Sequence, residues 1–245
     1  MPKPTLHTVI IEGIHVPVKL FRERRASVRA SIGKDTVNLR LPFFMTKDEQ
    51  IAQLQWCQNW LIKQFKKSES FRTRFMRRHY KDGDLFEISD RIYYISINVS
   101  DRKTHGGKLE NKVIKLELSN LEAFSQRQKS IRTLLSRLVS KDFHPEITRR
   151  VLELNHLYFQ KPIRSVKLKY NSSNWGSCSS KHNINLSSRL LFAPQEVQDY
   201  VIIHELAHLE EMNHSDRFWK IVRDIMPNYK EKEDWLTDHG HVCDF

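Results

Sequence analysis

The stretch Tyr200–Trp219, YVIIHELAHLEEMNHSDRFW, constrains this chain more than any other, because it holds His204, Glu205 and His208 in the order H-E-x-x-H. Residues four apart on an α-helix lie one turn apart on the same face, so both imidazoles reach one ion from one side. Glu205 sits one step round, close enough to touch a water bound to that ion. Two histidine ligands on a helix with a glutamate as general base is the arrangement of zinc hydrolases. His214 follows His208 after five residues, in a turn that can fold back over the helix. Three protein ligands leave a fourth position for water, the catalytic rather than the structural pattern of zinc coordination.

The flanks support a helix here. Val197 and Val201 recur with the histidines at helical spacing, and Pro194 suits a first turn. Ser215 reads as the N-cap of a following helix with Phe218, Ile221, Val222 and Ile225, stopped by Pro227. One more short helix is expected around Glu231–Leu236. The competing reading, a buried helix with two core histidines and a surface glutamate, gives His214 no role. Asp216 and Glu211 are candidates for orienting an imidazole.

With 245 residues, 39% of them apolar, the chain can bury a sizeable core, and 7 Gly and 8 Pro leave little for flexible linkers. Three cysteines far apart, Cys57, Cys178 and Cys243, imply no disulfide framework and no thiolate zinc site. No apolar run approaches a membrane span and the opening MPKPTLHTVIIEG lacks an apolar signal core, so no membrane contact and a cytoplasmic location are expected. The net charge of +12 is uneven: residues 1–120 carry 23 Lys+Arg against 13 Asp+Glu, and residues 121–245 carry 18 against 16. Polyanions are the obvious partners of such a surface, and a solvated basic face without a ligand is the plain alternative.

Along the chain, Leu6–Glu12, His15–Phe21, Ser27–Ile32 and Thr36–Leu41 read as strands of a small antiparallel sheet, with turns at Gly13 and Gly33-Lys34-Asp35. Thr46 and Glu49 form a capping box before a helix with the stripe Ile51, Leu54, Cys57, Leu61 and Phe65, widened by Trp56 and Trp60. Residues 63–81 are the most basic, with Lys63, Lys66, Lys67, Arg72, Arg74, Arg77, Arg78 and Lys81 interleaved with aromatics, a candidate contact for nucleic acid. Leu85–Ser89, Tyr93–Val99 and Val113–Leu118 read as strands, and Gly106-Gly107 as a turn. Two helices follow, near Leu121–Lys141 and from Pro145, separated at His144-Pro145. Val166–Tyr170 and Asn183–Leu186 are further strands, the latter a candidate edge for an extended peptide. No internal repeat is visible. The division expected is a β-rich, basic region 1–120 with one long helix and a hydrolase region 121–245, the two able to pack as one domain.

Trp175–Ser179 (W-G-S-C-S), Ile184–Leu186 (I-N-L) and the H-E-x-x-H stretch, in that order, resemble the YgjP-like metallopeptidase family, whose active-site helix is similar to that of SprT-like proteases. The resemblance implies an α+β fold with a β-rich N-terminal part and a helical, zincin-like C-terminal part with a small sheet. It implies one Zn2+ ion held by His204, His208 and His214, with Glu205 as catalytic base. Asn174 stands where a basic residue usually precedes W-G-S-C. The substrate implied is a peptide, and members are also associated with hydrolysis of nucleotide phosphoanhydrides.

Three rivals to a zinc peptidase share these residues. A nucleotide (nucleoside triphosphate) pyrophosphatase keeps the metal and changes the substrate, and the positive charge suits phosphates. A nucleic-acid-associated protein keeps the metal as a structural or SprT-like protease site, with 63–81 as its contact. Thiol catalysis by Cys178 requires an activating base, for which His182 is the nearest histidine in sequence. Nothing in the sequence marks an oxyanion stabiliser.

Overall fold

The computed structural model describes residues 4–33, 36–68, 75, 78–121 and 124–245 and is α+β, β-rich at the N-terminal end and helical at the C-terminal end. It divides into two compact units, residues 1–78 and 79–245. Each unit has its own hydrophobic core. Lys34 and Asp35 of the expected turn, and Arg72, Arg74 and Arg77 of the basic stretch, lie outside the described residues.

The first unit holds β1 (Thr5–Ile11), β2 (Ile14–Glu23), β3 (Arg29–Ile32), β4 (Val37–Pro42) and helix α1 (Lys47–Lys67). The sheet order is β1-β2-β4-β3, and the sheet is mixed rather than antiparallel: β2 and β4 pair in parallel at its centre. Apolar alternation explains the order. Val16, Val18 and Leu20 on β2 and Val37, Leu39 and Leu41 on β4 are buried on one face, whereas the four-residue β3 has no fully buried residue and takes an edge. The capping box opens α1 as the sequence predicts, with the Thr46 hydroxyl accepting from the Glu49 N–H. Of the predicted stripe, Cys57, Leu61 and Phe65 are buried against the sheet. Ile51 stays exposed, as does Trp56 at 44% exposure, so only Trp60 of the two tryptophans joins the packing.

The second unit opens with β5 (Leu85–Ile88), β6 (Arg91–Ser100), β7 (Gly106–Glu110), β8 (Val113–Ser119) and helix α2 (Phe124–Tyr158). Its order, β5-β6-β8-β7, with antiparallel outer pairs around a parallel β6/β8 pair, repeats the first unit strand for strand. A repeat is therefore present, in topology. It escapes the sequence because only the alternation is shared, Val16/Val18/Leu20 in one copy and Tyr93/Ile95/Ile97 in the other. Gly106-Gly107 begins a strand instead of making a turn. A Cβ on Gly107 would come within 2.9 Å of Leu116 Cδ2 and 3.2 Å of Leu138 Cδ1, so the glycine serves close packing of β7 on β8 and α2.

The break expected at His144-Pro145 is absent: α2 is one 35-residue helix with Pro145 inside it. Proline removes one N–H and costs about 3 kcal/mol in a helix interior. Against that, Ile131, Leu135, Val139, Phe143, Ile147, Val151 and Leu154 run through the proline as one buried stripe, each worth about 1.5–3 kcal/mol of burial.

The remaining strands are β9 (Ser165–Lys169), β10 (Gly176–Cys178) and β11 (Asn183–Ser187), in the order β10-β11-β9. A short 3-10 turn, Ser188–Phe192, leads to α3 (Gln195–Ala207), α4 (Asp216–Ile225) and α5 (Tyr229–His239). β11 is thus central, paired on both sides, and cannot be the free edge that a peptide would join. That edge is β10. Among the described residues no helix is long and apolar enough to cross a membrane.

Candidate metal centre

Helix α3 starts after Pro194, ends with His208 as its C-cap, and carries His204, Glu205 and His208. The chain then turns through Glu211–His214, and Ser215 caps α4 by accepting from the Phe218 N–H. That turn returns His214 to α3. One side-chain nitrogen from each of His204, His208 and His214 lies within 4.8 Å of the other two, and His204 Nε2 is 3.0 Å from His214 Nε2.

Phe218 is the floor of the cluster. It is fully buried, and its ring centroid lies 4.9, 4.6 and 4.8 Å from the rings of His204, His208 and His214. His208 Nδ1 is 3.1 Å from the Glu211 carbonyl, which fixes the ring and turns Nε2 inward. The backbone of Glu211, not its carboxylate, does the orienting. Burial first, then the neighbouring imidazoles, hold His204 down to about 4. His208 is lowered by burial as well. Both imidazoles are therefore neutral at pH 7, the form that ligates metals.

Glu205 points to the opposite wall. It is 5% exposed, and burial pushes its carboxyl up to about 7 against the opposing pull of the Cys178 backbone N–H. Its Oε2 is buried with no hydrogen-bond partner. A carboxylate oxygen orphaned in this way is costly unless a ligand or solvent group satisfies it. The donor set of three converging imidazoles fits a borderline-soft divalent ion with a water.

The W-G-S-C motif builds the other wall, which sequence reasoning left without a role. Gly176 is where β10 crosses Glu205: a Cβ there would lie 2.6 Å from Glu205 Cγ and Oε1. Ser187 N–H bonds to the Trp175 carbonyl and Ser179 N–H to the Asn183 carbonyl. The alternation of an antiparallel ladder then turns the N–H and C=O of Gly176 and Cys178 away from β11, toward Glu205. The Trp175 ring lies under the Arg189 guanidinium at 4.3 Å. Arg189, 4% exposed, donates to the carbonyls of Cys243 (2.7 Å) and Gly240 (2.5 Å), so it ties the 240–245 segment to the loop before β10. A buried arginine that serves only carbonyls leaves no signal in the sequence.

The thiol mechanism finds no support in this geometry. His182 Nδ1 is 2.9 Å from the Pro162 carbonyl. Burial, reinforced by Glu205, pushes the Cys178 thiol up to about 11, opposite to what a nucleophilic thiolate requires.

The sequence matches the family described as YgjP-like, metallopeptidase domain, over residues 26–239. The chain belongs to the YgjP-like family. As a member it is a metallohydrolase of the peptidase type, and a metal cofactor goes with that assignment. Among solved structures the chain is similar to the metallopeptidase zymogen of Pyrococcus abyssi abylysin, with 27% identity and a TM-score of 0.34, over 37% of this chain and 90% of that one. It is similar in the same way to the metallopeptidase zymogen of Methanocaldococcus jannaschii jannalysin, with 23% identity and a TM-score of 0.34, over 37% and 93%. No curated protein matches the chain.

Proposed function

We propose that this YgjP-like protein is a zinc-dependent peptidase in which His204, His208 and His214 hold the ion and Glu205 is the general base. One observation carries the reading: three imidazoles converge to within 4.8 Å of one another, and Glu205, next to His204 in the chain, buries an Oε2 that has no partner. A zinc ion held there supplies Lewis-acid activation of a water and of the scissile carbonyl. Glu205 Oε2 takes the proton from the attacking water and returns it to the leaving amine. Burial raises this carboxyl above the usual carboxylate range, which makes it a stronger proton acceptor than an exposed one. The Cys178 N–H holds the other side of the carboxylate in place.

The open edge of β10 orients the substrate. An extended peptide that pairs with the outward N–H and C=O of Gly176 and the C=O of Cys178 runs directly past Glu205, with main-chain bonds for affinity. The β10 edge takes over the role that the sequence suggested for Asn183–Leu186. Its partner is a peptide backbone, so the site selects an extended chain before it selects side chains.

The test is metal content by mass spectrometry together with turnover of a quenched-fluorescent peptide library. Wild type is expected to hold one zinc per chain and cleave. His208→Ala loses the metal, and Glu205→Gln keeps it and loses turnover. Phosphate or pyrophosphate release from nucleoside triphosphates without peptide cleavage overturns the assignment.

A further inference from the structure

The two copies of the sheet-and-helix plan differ in what their open faces carry. In each copy one face is covered by the core and the other alternates outward. On the β5–β8 copy the strand cations Lys108 and Lys115 share Glu110 and the loop cation Arg102 has Glu117, each within 4 Å, while Lys103 and Lys112, in the connections between strands, make no ion pair among the described residues. On the β1–β4 copy, Lys19 on β2, Arg29 on β3 and Arg24 in the loop between these strands make no ion pair among the described residues. Glu23 alone serves both Arg25 (3.7 Å) and Arg40 (2.5 Å). The topology is the same, so the excess of cations on the first sheet is not a demand of the fold.

The placement of these cations is equally pointed. Arg29 and Arg40 are direct cross-strand partners, an arrangement in which like charges repel. Arg40 stacks over Phe21, 5.0 Å from its centroid and beside it in the parallel pair. Where β2 and β4 end, the Phe43 N–H bonds to the Glu23 carbonyl and Arg22 donates to the Phe43 carbonyl. The rings of Phe43 and Phe44 meet edge to face there and are 53% and 66% exposed. An open sheet face with neighbouring arginines and exposed aromatic rings where its strands end has what single-stranded nucleic acid needs: charge for the backbone and flat apolar surfaces for unstacked bases. Arginine predominates over lysine, which favours bidentate phosphate contact over the diffuse attraction of an anionic membrane.

We propose that the outward face of the β1–β4 sheet, with the Phe43-Phe44 rim, binds single-stranded nucleic acid. The proposal is independent of the hydrolytic reading, because it concerns the first unit alone.

Fluorescence anisotropy of the full chain with fluorescein-labelled 15-nucleotide oligo-dT and oligo-U tests it, against a 15-base-pair duplex, heparin and phosphatidylglycerol vesicles. The expected result is binding to the single strands that weakens with salt, with a logarithmic slope of about −2 to −3 for three or four phosphate contacts. The triple variant Lys19→Gln/Arg24→Gln/Arg29→Gln weakens it at least tenfold and flattens the slope by about 2. Phe43→Ala/Phe44→Ala weakens it about tenfold with the slope unchanged, as lost stacking requires. Lys108→Gln/Lys115→Gln, on the other sheet, leaves it within twofold. Circular dichroism melts confirm that the variants are folded. Absent binding, binding that survives the triple variant, equal affinity for heparin and oligonucleotide with no effect of the phenylalanines, tighter binding to the duplex, or preference for the vesicles overturns the proposal.

Discussion

Sheet β1–β4 with α1 and sheet β5–β8 with α2 share strand order and pairing directions, and they part company at the helix. α1 spans 21 residues and buries Cys57, Leu61 and Phe65 in the first core. α2 spans 35 residues, and its buried stripe continues past Pro145 into one core with β9, β11 and α3. An extension of one apolar stripe is thus what gives the second copy a common core with the helix that carries the candidate metal ligands. Charge divides in the same place. Residues 1–78 carry 16 Lys+Arg against 6 Asp+Glu, a net +10, while residues 79–158 carry 14 against 11, a net +3. The copy whose core continues to the candidate site is close to neutral, and the first copy holds most of the +12.

The largest expected effect sharpens the contrast on the side of the chemistry. Glu205→Gln lowers peptide turnover by about 10²–10⁴ with zinc content unchanged, since only the proton acceptor is lost. Oligonucleotide binding by the first unit stays at the wild-type level. A variant that keeps more than a tenth of the activity breaks the assignment of Glu205 as base. Gly176→Ala comes next. A methyl group cannot sit 2.6 Å from Glu205 without moving β10 or the carboxylate. Displacements near 1 Å at a reacting group cost up to about 10² in rate, so turnover falls about 10- to 100-fold while zinc still binds. Full activity in this variant means that the wall of the site is softer than its contacts imply.

Those two predictions rest on residues of unequal visibility. The H-E-x-x-H spacing, the Thr46–Glu49 box and the Ser215 cap were legible because each is a local rule acting within one turn of helix. His214 was legible as a candidate because a turn five residues long has few places to go. Gly176 was not, because its reason lies on α3, nearly thirty residues away, and a glycine shows no sign of what it makes room for. Pro145 misled for the opposite reason: a strong local rule was overridden by burial along the whole of α2. The repeat was hidden because topology can be kept by alternation alone, with no identity between the copies. Arg189 gave no warning, since carbonyl partners are supplied by any residue type.

The independence of the two cores is tested by Leu61→Ala. Leu61 is fully buried in the first core, and removal of such a side chain costs about 3 kcal/mol. Differential scanning calorimetry is expected to show one transition moved down and the other unmoved, with zinc content and turnover unchanged. If both transitions shift together, the two copies are energetically one body and the contrast drawn above fails.

The smallest effect concerns the metal-free protein and pH. Glu205 has its folded-state pKa raised from 4.5 to about 7, chiefly by burial. Between those values the folded, metal-free chain keeps a proton that the unfolded chain has released. Its stability therefore falls as pH rises from about 4.5 to 7 and is level above. Gln at position 205 removes the titrating group and so removes the fall. Metal-free Glu205→Gln is expected to be more stable than metal-free wild type at pH 8, by about 2 kcal/mol against a ceiling near 3, with the gain shrinking toward pH 5. His204, held down to about 4 by burial, costs stability as pH drops below its ordinary value near 6.5. It does so in both proteins and cancels in the comparison. With zinc added the gain should vanish, because a cation beside the carboxylate favours its charged form. Urea unfolding at pH 5 and pH 8, with and without zinc, reads all four values. An advantage for Gln that persists undiminished in the zinc-loaded protein would place the carboxylate away from the ion, and the water-activating role would go with it.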